Sequence, residues 1–121
     1  MPILTITSDW GNTDYFVGAM KGDILTLCNQ AVIVDISNTI NPFDQVQGAF
    51  IFKNSWLRFP KGTVHVIGVC AASKEAPSLV VISHKNHFFV GPDDGFFPLV
   101  FDEPPTEVYY ILDAKGKKVI P

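Results

Sequence analysis

Three apolar runs separated by two helical periods restrict this chain to an α/β sheet. Residues 2–7, 31–36 and 63–69 are strand-like, and the middle run is apolar but for Asp35 and β-branched, as in a parallel strand covered on both faces. Between them, residues 14–27 place Val17, Met20, Ile24 and Leu27 on one helical face. Residues 44–56 form a second helical period marked by Val46, Ala49, Phe50, Lys53 and Leu57, and Arg58-Phe59-Pro60-Lys61-Gly62 ends it. Residues 79–83 and 87–90 read as short strands, with Lys85-Asn86 as a tight hairpin turn. A loop at residues 91–95 and a last strand at 108–112 complete the series. The order β-α-β-α-β, then mostly β, predicts an α/β fold whose early strands are parallel.

Composition narrows the function classes. With 121 residues, 47% of them hydrophobic and 17% charged, the sequence reads as one globular domain with a real core. The net charge is −3 and the lysines are scattered, so no nucleic-acid face is expected. No run approaches the roughly 18–20 apolar residues of a membrane span. The first residues lead straight into Ile3-Leu4-Thr5-Ile6 without a secretory pattern, so the expectation is a cytoplasmic protein. Cys28 and Cys70 are too few for a disulfide framework, and neither belongs to a metal-spaced pair.

The segment Thr7-Ser8-Asp9-Trp10-Gly11 puts a carboxylate where the first strand runs out into a glycine turn. Ligands of open α/β sheets bind at the carboxyl ends of strands, and a carboxylate there can accept two hydrogen bonds from a vicinal diol. Asp14, five residues on, is placed like the N-cap of the first helix. Both residues have a plainer reading as turn and cap groups, since Asp-x-Gly is ordinary turn chemistry.

Several segments together resemble the N-terminal domain of the S-adenosylmethionine hydroxide adenosyltransferase family, which also holds fluorinating and chlorinating enzymes. They are Thr7–Gly11, Asp14, Val17-Gly18, Met20-Lys21-Gly22, Val34-Asp35-Ile36, Asn41-Pro42-Phe43-Asp44, Phe59–Val64 and Phe89–Gly95. They follow the family's order and spacing through nearly the whole chain. The resemblance implies a three-layer sandwich with a mostly parallel central sheet. It also implies a ligand with adenosine and methionine parts, S-adenosylmethionine being substrate or ligand, with no separate cofactor and no metal. Asp9 matches the residue that hydrogen-bonds the ribose hydroxyls, and Asp14 a further acidic position near the same pocket. Phe43 matches a position that packs on the ligand, although a Phe after Pro also suits a core.

The departures from the family pattern bear on catalysis. After the third strand, hydroxide-transferring members carry Asp-Pro-Gly-Val-Gly and then an Arg, which act with a later His on the attacking water. Here the stretch reads Cys70-Ala71-Ala72-Ser73-Lys74-Glu75-Ala76-Pro77, with Cys70 at the Asp position and Pro77 at the Arg position. A Cys is no general base at neutral pH unless its pKa is strongly lowered, and Pro offers neither charge nor donor. Ser73 keeps a hydroxyl found in the halide pocket of the halogenating members. Family members are trimeric and continue into a β-rich C-terminal domain, and sites form between subunits. This sequence stops at Val119-Ile120-Pro121, near where that domain begins, so a single domain at residues 1–121 without its C-terminal companion is expected, with a homo-oligomer implied.

Two other chemistries are open to the residues themselves. Cys70 paired with His84 or His87 would make a nucleophile, against the plainer reading of a small buried hydrophobe. Asp9, Asp14, Asp93 and Asp94 together would suit Mg²⁺ or Ca²⁺, but their spacing matches no dedicated cation loop. Trp10, Trp56 and Phe96-Phe97 read as core or interface aromatics. Three functions follow. The first, favoured by the altered loop, is a degenerate, non-catalytic domain that binds a nucleoside or S-adenosylmethionine, with Asp9, Asp14, Phe43 and Ser73 as ligand contacts. The second is an active hydrolase releasing adenosine and L-methionine, in which Cys70 or Ser73 would take the lost roles. The third is a structural or interaction subunit in which Gly18, Gly22, Pro42, Gly62 and Gly91 serve the backbone alone.

Overall fold

The computed structural model describes residues 2–69 and 78–110. Six strands form one sheet: β1 (Ile3–Ser8), β2 (Val32–Ser37), β3 (Val64–Gly68), β4 (Leu79–His84), β5 (His87–Pro92) and β6 (Glu107–Tyr110). Their spatial order is β2-β1-β3-β5-β4-β6. The β1–β2, β1–β3 and β3–β5 pairs are parallel, and β4 runs antiparallel to both β5 and β6. The α/β fold with parallel early strands is as the apolar runs predict, and the mostly parallel sheet is as the family resemblance implies.

Helix α1 (Phe16–Leu27) carries the chain from β1 outward to β2, and α2 (Gln45–Lys53) carries it back across β1 to β3. Right-handed crossovers in opposite directions place the two helices on opposite faces. Lys21 of α1 bridges Asp35 of β2 at 2.6 Å. On the other face, α2, α3 (Phe96–Val100) and the 3-10 turn Trp56–Arg58 close over the core. That core gathers Ile40, Ala49, Phe52, Trp56, Ile67, Val80, Ile82, Phe89, Phe96 and Phe97.

The helices differ from the expected periods. The structure starts α1 at Phe16 and buries only Val17 in it, while Leu27 is 89% exposed. The cap position is Tyr15, one residue after Asp14, yet the Asp14 carboxylate still accepts a hydrogen bond from Phe16 N at 2.9 Å. Of the face predicted for α2 only Ala49 is buried, beside Gly48 and Phe52, while Val46, Phe50 and Leu57 turn to solvent. Gly48 decides this. A Cβ there would stand 3.2–3.4 Å from Phe96, Val69 and Ile40, so the glycine lets the helix backbone approach the core.

The second helix also ends early, at Lys53. Asn54 Nδ2 and Ser55 Oγ donate to the carbonyls of Phe50 and Ile51, local bonds that compete with continued helix, and Trp56 then enters the 3-10 turn. Lys85 and Asn86 both adopt positive φ (50° and 63°), the backbone of the tight hairpin turn expected there. The short α3 lies in a stretch given no element from sequence. Its Pro98 falls in the first turn, where a missing N–H does no harm, and Gly95 at φ 105° turns the chain into it.

Candidate functional site

The winding reverses between β1 and β3, and the carboxyl ends of strands at such a switch point are where open α/β sheets form the crevice that binds ligands. Three strand ends build its rim. Ser8, the last residue of β1, donates from Oγ to Asn38 Oδ1 at 2.6 Å, and both side chains are buried. The same Oγ accepts from Trp10 N at 3.3 Å, while Asn38 O accepts from Gly11 N at 2.6 Å. These bonds fasten the turn after β1 to the end of β2. Asp9 N reaches Gly68 O on β3 at 3.4 Å.

The Trp10 indole lies against the Gly68 backbone, where any Cβ would overlap it, and meets Phe16 edge-on at 5.0 Å. Gly68 therefore serves close approach, which the sequence reading did not single out.

Asp9 faces the loop that leads into α2. Its Oδ2 accepts from Phe43 N at 3.0 Å, and Oδ1 carries no hydrogen bond among the described residues. Phe43 holds a positive φ of 62°, uncommon for a bulky residue, and is 58% exposed. The next residue, Asp44, caps α2 by accepting from Gln47 N at 3.0 Å. Gln47 Oε1 in turn accepts from Asn41 N at 2.9 Å, closing the Asn41–Gln47 loop on itself. Gln45 Nε2 donates to Asp94 Oδ1 at 2.7 Å and so ties the start of α2 to the loop after β5. The arrangement holds one carboxylate oxygen in place by a backbone donor and presents the other, beside an exposed aromatic ring.

Of the expected site residues, Asp9 and Phe43 are joined by this hydrogen bond. Asp14 stands at the exposed entry of α1 and bonds to neither. Cys70 and Ser73, like Pro77, lie outside the described residues. Among the described residues no three His, Cys, Asp or Glu side chains gather as a metal site. His84 and His87 are buried at the far end of the sheet: His87 stands level with Thr63, about six strand residues or ~20 Å from Val69. A separate cavity of about 460 Å³ lies between α3 and the β4–β6 edge, lined by Val80, Phe97, Phe101 and Tyr110 among others, and neither Asp9 nor Phe43 borders it.

Residues 4–119 match the family described as SAM hydroxide adenosyltransferase N-terminal domain. The chain belongs to the SAM hydroxide adenosyltransferase family. It is similar to the "(R)-S-adenosyl-L-methionine hydrolase" of Methanocaldococcus jannaschii, 35% identical over 108 residues that cover 85% of this chain and 41% of that protein. It is also similar to the "Fluorinase" of an Actinoplanes species, 26% identical over an alignment covering 99% of this chain and 47% of that protein. The chain thus spans less than half the length of these curated relatives. Its fold matches that of a conserved hypothetical protein from Thermus thermophilus, with a TM-score of 0.82 and 24% identity, over 95% of this chain and 48% of that one. No helix among the described residues is long and apolar enough to cross a membrane.

Proposed function

We propose that this chain is a non-catalytic member of its family that binds a nucleoside or S-adenosylmethionine. The observation that carries the reading is the Asp9 carboxylate at the switch point, with Oδ2 held by Phe43 N and Oδ1 open to a ribose hydroxyl. An ionised carboxylate is an acceptor suited to the two hydroxyl donors of a diol, and such bonds are stronger than neutral ones. The exposed Phe43 ring beside it offers an apolar surface to a sugar or thioether. Loss of turnover follows from the sequence after β3, where Cys70 and Pro77 stand in place of the carboxylate and guanidinium of the hydroxide-transferring members. Groups that position one water act as a unit, so losing two removes far more than half of the effect.

The alternative is an active hydrolase that releases adenosine and L-methionine, and the hydrolase name of the archaeal relative favours it. In that reaction water attacks the ribose 5′-carbon, its oxygen forms the new C–O bond and gives up one proton to solvent, and the neutral thioether leaves with the C–S electron pair. The sulfonium is a good leaving group, so orienting the water supplies much of the catalysis. Isothermal calorimetry with S-adenosylmethionine and with adenosine, run beside chromatographic detection of adenosine, separates the two. Heat without product supports the binding domain. Adenosine release at an enzyme-like rate supports the hydrolase, and absence of heat with both ligands overturns the nucleoside reading.

A further inference from the structure

Three polar side chains form a continuous chain inside the core, away from the crevice. Thr5 Oγ1 lies 2.7 Å from His65 Nδ1, and His65 Nε2 lies 3.0 Å from His87 Nδ1. The chain crosses β1, β3 and β5, and its members are 0%, 0% and 3% exposed. The two imidazoles are nearly parallel, 17° apart, with centroids at 5.2 Å. Aromatic rings wall them in. Phe52 of α2 and Phe59 meet His65 edge-on, Phe89 of β5 stacks on it, and Trp56 of the 3-10 turn meets both histidines.

We infer that this Thr5–His65–His87 chain is an acid-sensitive fastening that holds α2 and the Trp56 turn on the sheet only while the histidine pair is largely neutral. The Nε2–Nδ1 contact needs one N–H and one lone pair. Two neutral imidazoles supply these in either tautomer arrangement. Two imidazoliums would set N–H against N–H at 3.0 Å. The folded pair therefore takes up one proton at most, and that charge would be buried among aromatic rings.

Among the described residues, no charged side chain is packed on the pair from β1, α2, the 3-10 turn or β5. Beyond Trp56 come His84, Glu103 and Lys85, which face one another, and Arg58 and Lys61 flank Phe59 in the chain but are exposed. Burial, with His87 beside it, lowers the His65 pKa to about 3, and burial lowers His87 as well. Because Phe52 and Trp56 rest on these rings, a proton that opens the pair loosens α2, whose first turn shapes the crevice. The inference stands whether or not the crevice binds a nucleoside.

Urea unfolding of the full chain at pH 7.5, 6.5 and 5.0 tests it, followed by Trp fluorescence. Between pH 6.5 and 5.0 the wild-type unfolding constant should rise about tenfold for one ring kept neutral, and a hundredfold or more for two. The double variant His65→Phe/His87→Phe, which keeps aromatic packing and removes both protons, should change less than threefold. A wild type that changes less than threefold, or a variant as steep as wild type, overturns the inference. Should the variant fail to fold, NMR of the wild-type imidazoles decides. At least one of the two rings must keep its neutral chemical shift down to pH 5, and titration of both near pH 6.5 overturns it.

Discussion

At the scale of single residues, Asp9 holds the Phe43 turn through one carboxylate oxygen, and the proposed function assigns recognition to the other. Its Oδ2 takes the Phe43 N–H, which helps hold that residue at a positive φ. Asp9→Asn retains a carbonyl oxygen for Phe43 while removing the charge. Under the nucleoside reading, calorimetry should find adenosine affinity lowered by ten- to a hundredfold, equivalent to about 1.5–3 kcal/mol for hydrogen bonds to a charged group. The melting temperature should stay nearly unchanged, and equal affinity in both proteins would remove Asp9 from the site. Gly68 makes a different kind of prediction. Its role is to leave room for Trp10, so Gly68→Ala forces the indole off β3. A stability loss of about 1–3 kcal/mol is expected, with a shift in Trp fluorescence. An unchanged spectrum at unchanged stability would mean that the close contact does not shape the turn.

At the scale of elements, α2 is the piece that connects core and crevice. Its buried side touches Phe96, Val69 and Ile40 through Gly48, and its first turn is fixed by Asp44. Asp44→Ala removes the cap and should cost about 1 kcal/mol, seen as a melting temperature lower by roughly 3–5 °C. A change under one degree would show the cap to be dispensable. The same helix marks the limit of what periodicity reveals. Strands β1 and β3 were legible because runs of apolar residues persist where a sheet is covered, and the hairpin because Lys85-Asn86 separates two such runs. Strand β2 was found by its β-branched run, but it lies at the sheet edge with none of its residues buried, not covered on both faces as expected. The orientation of α2 was not legible, because its contact surface is a glycine, an alanine and one Phe, while its larger apolar groups Val46 and Phe50 face outward. Helix α3 escaped for a related reason: five residues with a central Pro show no period. In the crevice, Asp9 was legible from its place at a strand end. Asn38 and Gln45 were not, since each acts through a partner 30 or 49 residues away in sequence.

At the scale of the whole molecule, the buried histidines set how stability depends on pH. A histidine whose folded pKa lies below its unfolded value contributes its full share above the unfolded value and loses it as pH falls. For His65 that interval runs from 6.5 down to about 3. Each pH unit in it is worth about 1.4 kcal/mol, so this ring alone withdraws roughly 4–5 kcal/mol across the whole interval. His87 shifts in the same direction and adds to the slope. Domains of this size are stable by only about 5–15 kcal/mol in total, so the loss is comparable to the margin itself. Stability should therefore be flat with respect to these rings from about pH 7.5 upward, fall below 6.5, and bring the melting temperature down by well over 10 °C by pH 4. Calorimetric scans from pH 8 to pH 4 measure this directly, and their proton balance identifies the source, because unfolding near pH 5 must take up protons from solution. A melting temperature that holds steady to pH 4, without proton uptake, would require the pair to be charged and satisfied inside the fold. The aromatic walls formed by Phe52, Trp56 and Phe89 carry no anion to pair with that charge.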